Sequence, residues 1–191
     1  MNRFKFLTVL AVAALSATAL SAQEQKKKKE RPSPAATASA DIDGNQVKIA
    51  YSRPKMKDPK SGEVRKIWGG LVPYGKVWRT GANEATLLTT TQPVVIGGFQ
   101  LGAGTYSLFT VPQADGSAKL IINKRTGQWG IPYKEEEEKA NELARLDLKK
   151  GKTDGLVDPF AMAVEKTGPG AGVIKLAWEN TQYSIAFANK K

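Results

Sequence analysis

Arg79, Asn83 and Glu84 fall within GGLVPYGKVWRTGANEAT, residues 69–86, a stretch that also carries Tyr74 and Trp78. A guanidinium and an amide offer hydrogen-bond donors, a carboxylate offers an acceptor, and aromatic rings offer faces for stacking. Pockets for small molecules are mostly apolar with a few placed polar groups, and these residue types meet that description for a small polar or saccharide-like ligand. Arg53, where a strand ends before Pro54, and Trp68, ten residues ahead of Trp78, extend the set. The same residues admit a structural reading. In it the stretch closes one end of a β-sandwich, its aromatics complete the core, and Arg79 and Glu84 pair or bond to loop carbonyls. An enzymatic alternative makes Glu84 a general base in a hydrolase-type reaction, with Arg79 stabilising the negative charge that develops. It needs a second acid or nucleophile, for which Asp58, Glu63 and Tyr74 qualify only by nearness in sequence; a further alternative is a structural or assembly factor of the cell envelope with no ligand.

Other chemistry is excluded more firmly. The chain has no histidine and no cysteine. That removes the usual zinc sites, thiol catalysis and every Ser-His-Asp or Cys-His arrangement, and the balance leans away from an enzyme. No cofactor or metal is expected. Asp41-Ile42-Asp43-Gly44-Asn45 begins like a calcium loop, but the later Glu ligand would fall in the strand around Ile49 to Tyr51,. The residues are those of a hairpin turn. Gly102-Ala103-Gly104-Thr105 lacks the lysine and the βαβ setting of a phosphate loop, and Gly168 to Gly172 reads as a turn between strands,.

The elements that must position the candidate residues read as short strands. ASADI and QVKIAYS flank Asp43-Gly44-Asn45, and Val47, Ile49 and Tyr51 alternate with polar or small neighbours, which predicts a hairpin with one buried face,. A connection from Arg53 to about Ala85 follows, too long for an ordinary loop and too aromatic for disorder. TLLTTT, PVVI, FQL, TYSLFTV and AKLIIN are then separated by Gly97-Gly98, Gly102 to Gly104 and Asp115-Gly116. FAMAVEK, VIKLAW and QYSIAFA complete the series, the last two meeting at a tight turn over Glu179-Asn180-Thr181. KEEEEKAN, residues 134–141, is at most a short surface helix or a solvated acidic loop. ELARLDLKK, residues 142–150, reads as a strand, with an amphipathic helical turn as the competing assignment. The expected fold is all-β: a single sandwich or jelly-roll-like domain of about nine or ten strands, with one long aromatic-rich loop.

At the N-terminus a basic head, an apolar run from Phe6 to Leu15 and the small residues Ala19 to Ala22 form the pattern of a signal peptide over residues 1–22,. Export to the periplasm or beyond is therefore expected. A lipoprotein is not, since no cysteine is present to carry the lipid. Residues 23–40 read as a basic, Pro-, Ala- and Ser-rich linker, leaving 41–191 as the domain. No later segment is apolar for long enough to span a bilayer as a helix. The formal net charge is +11, but from Pro32 onward there are 22 basic and 16 acidic residues, so much of the excess lies in the tails. A clustered basic face with a nucleic-acid motif is absent, and nucleic acid is not an expected partner. The run Lys26 to Arg31 is a solvated tail, with weak contact to an acidic envelope surface as the lesser reading.

The segments IAYSRP (49–54), IWGGLVPYGKVWRTGANEAT (67–86), IGGFQLGAGTYSLFTVP (96–112), GQWG (127–130) and LAWENTQYSIAF (176–187) resemble the secreted, Bacteroidetes-type family known as domain of unknown function 2911. The resemblance spans about residues 33 to 188 and implies a β-rich exported domain with no activity to carry over. Its GQWG segment adds Trp129 to the candidate ligand-binding residues. Between Pro54 and Trp68, where the family is often shorter, it implies nothing about Lys55 to Lys66.

Overall fold

The computed structural model describes residues 31–190. The signal-peptide reading, and the basic run as far as Glu30, lie outside the described residues. Strand β1 (Ala35–Ile42) and β2 (Asn45–Ser52) form the first hairpin, in register from Ala35 opposite Ser52 to Ile42 opposite Asn45. Its two turn residues, Asp43 and Gly44, have φ of 50° and 86°. Positive φ at both positions gives the turn whose twist matches that of the flanking strands. Asp41 Oδ1 accepts the Gly44 N–H at 2.8 Å and closes it.

β3 (Thr86–Thr90), β4 (Val94–Ile96), β5 (Phe99–Leu101), β6 (Gly104–Pro112) and β7 (Ala118–Asn123) follow, then α1 (Glu135–Glu138), β8 (Glu142–Gly168) and β9 (Ala171–Asn189). The nine strands pair antiparallel in the order β1-β2-β3-β6-β7-β8-β9-β4-β5. The fold is all-β, as the turn spacing predicts. β8 makes the sheet into two facing layers. Its first residues, Glu142 to Leu148, pair with β7, and from Lys149 onward it pairs with β9. The chain thereby passes from one layer to the other without a loop. The returning half meets the first hairpin, where Met162 N–H donates to the Tyr51 hydroxyl at 3.0 Å and Arg53 Nε to the Phe160 carbonyl at 3.0 Å.

The core lies between the layers. Ile49, Leu88, Leu108 and Leu120 enter from one side and Phe160, Ile174, Leu176 and Trp178 from the other, all 1% exposed or less. Each such side chain contributes roughly 1.5–3 kcal/mol through removal from water.

Several expectations need correction. β1 starts at Ala35, so residues 35–40 belong to the domain rather than to a linker. Small alternating residues disguise that strand. FAMAVEK and ELARLDLKK are parts of one strand, and the helical alternative for residues 142–150 is not realised. No tight turn interrupts β9. Glu179 has φ 53°, and the strand bends there and continues, because β8 supplies partners on both sides of the bend. The acidic run is not wholly a solvated face either. Glu138 is buried, accepting from Asn123 Nδ2 at 2.9 Å and pairing with Arg125 at 2.6 Å.

Candidate functional site

The long connection between β2 and β3 is built from local turns. Its first part is a small hairpin in which Lys57 bridges Val64. Asp58 nucleates it: Oδ1 accepts the N–H groups of Lys60 at 2.8 Å and Ser61 at 3.1 Å, and the carbonyl accepts Gly62 N–H at 2.9 Å. Those N–H donors hold the Asp58 carboxyl below its ordinary pKa,. Arg65 closes the base, donating to the Lys55 carbonyl at 2.6 Å and reaching Asp58 at 3.5 Å. Asp158 of β8 anchors the whole by accepting Met56 N–H at 2.8 Å.

The second part, residues 67–86, is stitched to β6 and to the core. Ile67 and Val72 are fully buried, and Val72 N–H donates to the Ile67 carbonyl at 2.9 Å. Gly70 has no room for a side chain, because a Cβ would run into the Lys66 carbonyl. Trp78 exchanges backbone hydrogen bonds with Thr110 at 2.7 and 2.8 Å. Its indole N–H donates to the Gly81 carbonyl at 3.1 Å. The ring stacks on Trp178 at 6.0 Å with 20° between planes, and meets Phe160 and Trp68 edge-on at 5.0 and 6.0 Å. This aromatic cluster caps one end of the sandwich, so the structural reading holds for Trp78.

Outside the cap lies a cleft of about 1040 Å³. Trp78 and Trp178 contribute to its lining, together with the 55–65 hairpin, Arg79 and Asn83, and Trp129 and Ile131 from the loop after β7. The indole N–H of buried Trp178 has no partner among the described residues.

The candidate residues separate on these geometries. Arg79 lines the cleft, half-buried, and donates to the Asn83 carbonyl at 3.0 Å. Among the described residues no carboxylate pairs with it. Burial pushes its pKa down, but a guanidinium remains a cation,. Trp129 also lines the cleft and is 57% exposed. Asn83 borders it, but its amide nitrogen donates to the Ser33 carbonyl at 3.1 Å and Ser52 Oγ at 3.2 Å, holding the chain before β1 in place. Glu84 faces elsewhere. Its carboxylate takes two bonds from Arg31 at 2.8 and 2.7 Å and borders a separate cavity of about 460 Å³ beside β1 and β2. Arg53 is committed to the Phe160 carbonyl. Trp68 packs edge-on against Trp78 and Tyr183, and the Tyr74 ring lies over Gly69. Neither Trp68 nor Tyr74 is among the cleft residues.

Residues that sequence reasoning passed over also appear in the cleft. Lys55, Lys57, Lys60 and Arg65 line it, so among the described residues it holds, with Arg79, five basic side chains against one acidic, Asp58. Four scattered cations in a Lys-rich chain give no local signal; only the hairpin's placement collects them. No group of three or more His, Cys, Asp or Glu side chains among the described residues is arranged to hold a metal ion. No helix among them is long and apolar enough to cross a membrane.

A family model described as a protein of unknown function, DUF2911, matches residues 33–187. No curated protein and no solved structure matches the chain.

Proposed function

Since the chain belongs to the DUF2911 family, whose function is unknown, descent brings it no activity, and we infer from the cleft that the domain binds a small polar or saccharide-like ligand there. The observation that carries this reading is Arg79: a half-buried guanidinium, oriented by the Asn83 carbonyl, with no carboxylate beside it among the described residues. Partial burial of a charge without a counter-charge costs free energy, and a ligand oxygen would offset that cost through charge-assisted hydrogen bonds. Trp129 offers an accessible ring on the same cleft for a sugar or other apolar face,.

The domain is then a binding module rather than an enzyme. Glu84, the only carboxylate in the run shared with Arg79, borders a different cavity and engages Arg31, which leaves the hydrolase alternative without its base. Export to the periplasm or beyond, expected from residues 1–22, would place the module among envelope or environmental glycans. The test is a thermal-shift screen of glycans and polar metabolites on the mature chain. A stabilising ligand is expected, and Arg79→Ala should abolish the shift while near-ultraviolet circular dichroism stays native. An Arg79→Ala protein that folds and is still stabilised by the ligand would end the assignment; one that cannot fold would give Arg79 a structural role, and the screen on the parent chain then decides whether the cleft binds.

A further inference from the structure

We propose that the ligand of this cleft is an acidic saccharide, a sugar ring carrying a carboxylate of the uronic-acid class. This rests on the binding-module reading above and adds the sign and the carrier of the charge. The sign comes from the lining. Of its five basic side chains among the described residues only Arg65 is ion-paired, with Asp58, the single acidic group there, which Lys60 also approaches. Lys55, Lys57 and Arg79 form no ion pair among the described residues and Lys60 shares Asp58 with Arg65, so five cations border one concavity against one carboxylate. A cleft lined by one sign of charge between low-dielectric walls concentrates its field and draws in the opposite charge. Two smaller cavities lack this bias: among the described residues one has Glu84 as its only charged side chain, and the other mixes Lys152 and Lys175 with Asp154.

The arrangement also grades the cations by role. Arg79 is the inner one, fixed by the Asn83 carbonyl, and its planar fork matches the two oxygens of a carboxylate,. Lys57 and Lys60 are exposed on a hairpin that Asp58 and Arg65 hold rigid, so they act as an outer electrostatic rim. The carrier is read from the apolar groups. Trp129, Ile131 and Leu71 line the same cleft, 57%, 39% and 42% exposed. An isolated inorganic anion makes no use of such surfaces, whereas a sugar presents C–H faces to stack on them while its carboxylate reaches Arg79.

The experiment uses the full mature chain and three probes: trigalacturonate, the neutral trisaccharide maltotriose, and inorganic phosphate. Each is titrated by calorimetry at low salt and again at about 300 mM, where screening shortens the reach of exposed charges. Trigalacturonate should bind at least about tenfold more tightly than either other probe, and more weakly at high salt. Arg79→Ala should reduce its affinity about tenfold or more. Lys57→Glu/Lys60→Glu, confined to exposed positions, should weaken it with an unchanged melting temperature, and keeps the proposal testable if Arg79→Ala fails to fold. Equal binding of maltotriose would overturn the charge assignment and leave the binding module standing. Phosphate binding as tightly as trigalacturonate would overturn the sugar carrier. Binding of none of the three would overturn this proposal, and an empty glycan and metabolite screen besides would overturn the binding reading itself.

Discussion

Arg79 and Gly130 share one carbonyl: Asn83 O accepts from Arg79 Nη1 at 3.0 Å and from Gly130 N at 3.1 Å. The Arg79 stem fills the space above the glycine, where an added Cβ would lie 2.5 Å from Arg79 Cβ and Cδ. Gly130→Ala must therefore displace the arginine stem. Overpacking of this kind costs roughly 1–3 kcal/mol, so the melting temperature should fall while the fold survives. Ligand affinity should drop by about as much as in Arg79→Ala, since the guanidinium loses its placement. Titration of both variants with trigalacturonate checks this; unchanged affinity in Gly130→Ala would separate Arg79 from binding.

Two of the three tryptophans on the cleft, Trp78 and Trp129, should behave oppositely. Trp78 is 7% exposed and stacked on Trp178, so Trp78→Ala should lose about 3–5 kcal/mol and in practice yield little folded protein,. Trp129 is 57% exposed, and Trp129→Ala should stay within about 0.5 kcal/mol of the parent in stability,. Its ligand affinity should nevertheless fall. Urea melts paired with binding titrations give both readouts, and a stability loss in Trp129→Ala matching that of Trp78→Ala would reassign it to the core.

Asn45 is wholly buried and joins three segments. Its Oδ1 accepts the N–H groups of Thr91 and Gln92 at 3.1 and 3.0 Å, and its Nδ2 donates to Asn189 Oδ1 at 2.9 Å. Asn45→Leu would leave the Gln92 N–H unsatisfied, at a cost of roughly 1–3 kcal/mol, and the Thr91 N–H with only its longer 3.3 Å bond to the Gln46 carbonyl, while Asn189 Oδ1 loses its partner,. The expected result is a loss of several kcal/mol in chemical denaturation, with faster amide exchange at Thr91 and Gln92. A near-parental midpoint would show that water replaces the side chain.

Acid should weaken the domain through Glu142. Hydrogen bonding from Arg145 holds the Glu142 carboxyl below its ordinary 4.5, while the same contact pushes the Arg145 pKa up. The folded protein therefore binds fewer protons here than the unfolded chain. Its stabilising contribution is complete above about pH 4.5 and fades as the pH falls through the lower folded value. Glu142→Gln should be less stable at neutral pH and lose less on acidification across that window. Midpoints of urea denaturation measured against pH in the two proteins test this, and parallel curves would remove Glu142 from the acid response.

Much of the fold is legible in local residue patterns. Asp43-Gly44 specifies its hairpin because few residues accept positive φ, and Val47, Ile49 and Tyr51 mark the buried face of β2 by their period of two. β1 was harder to see because its small residues alternate only weakly in polarity. β8 and β9 read as shorter strands because charge and glycine interrupt their patterns, yet β8 continues as it passes from β7 to β9, and β9 stays paired with β8 on both sides of Glu179.

By itself the chain determined its chemical repertoire and its repeating unit. With no histidine or cysteine it has no thiol or imidazole chemistry, and its alternating β-formers between turn residues specify an antiparallel sheet. The site was another matter. Arg79, Asn83 and Glu84 lie within six residues of one another, but only the tertiary structure showed that Asn83 secures the chain ahead of β1, that Glu84 reaches Arg31, and that Arg79 remains in a cleft with Trp129 and the lysines of a separate hairpin. Backbone preference and burial pattern act over a few residues and can be read along the chain. Which charges become neighbours depends on strand register and loop docking between residues tens of positions apart, and no local pattern encodes that.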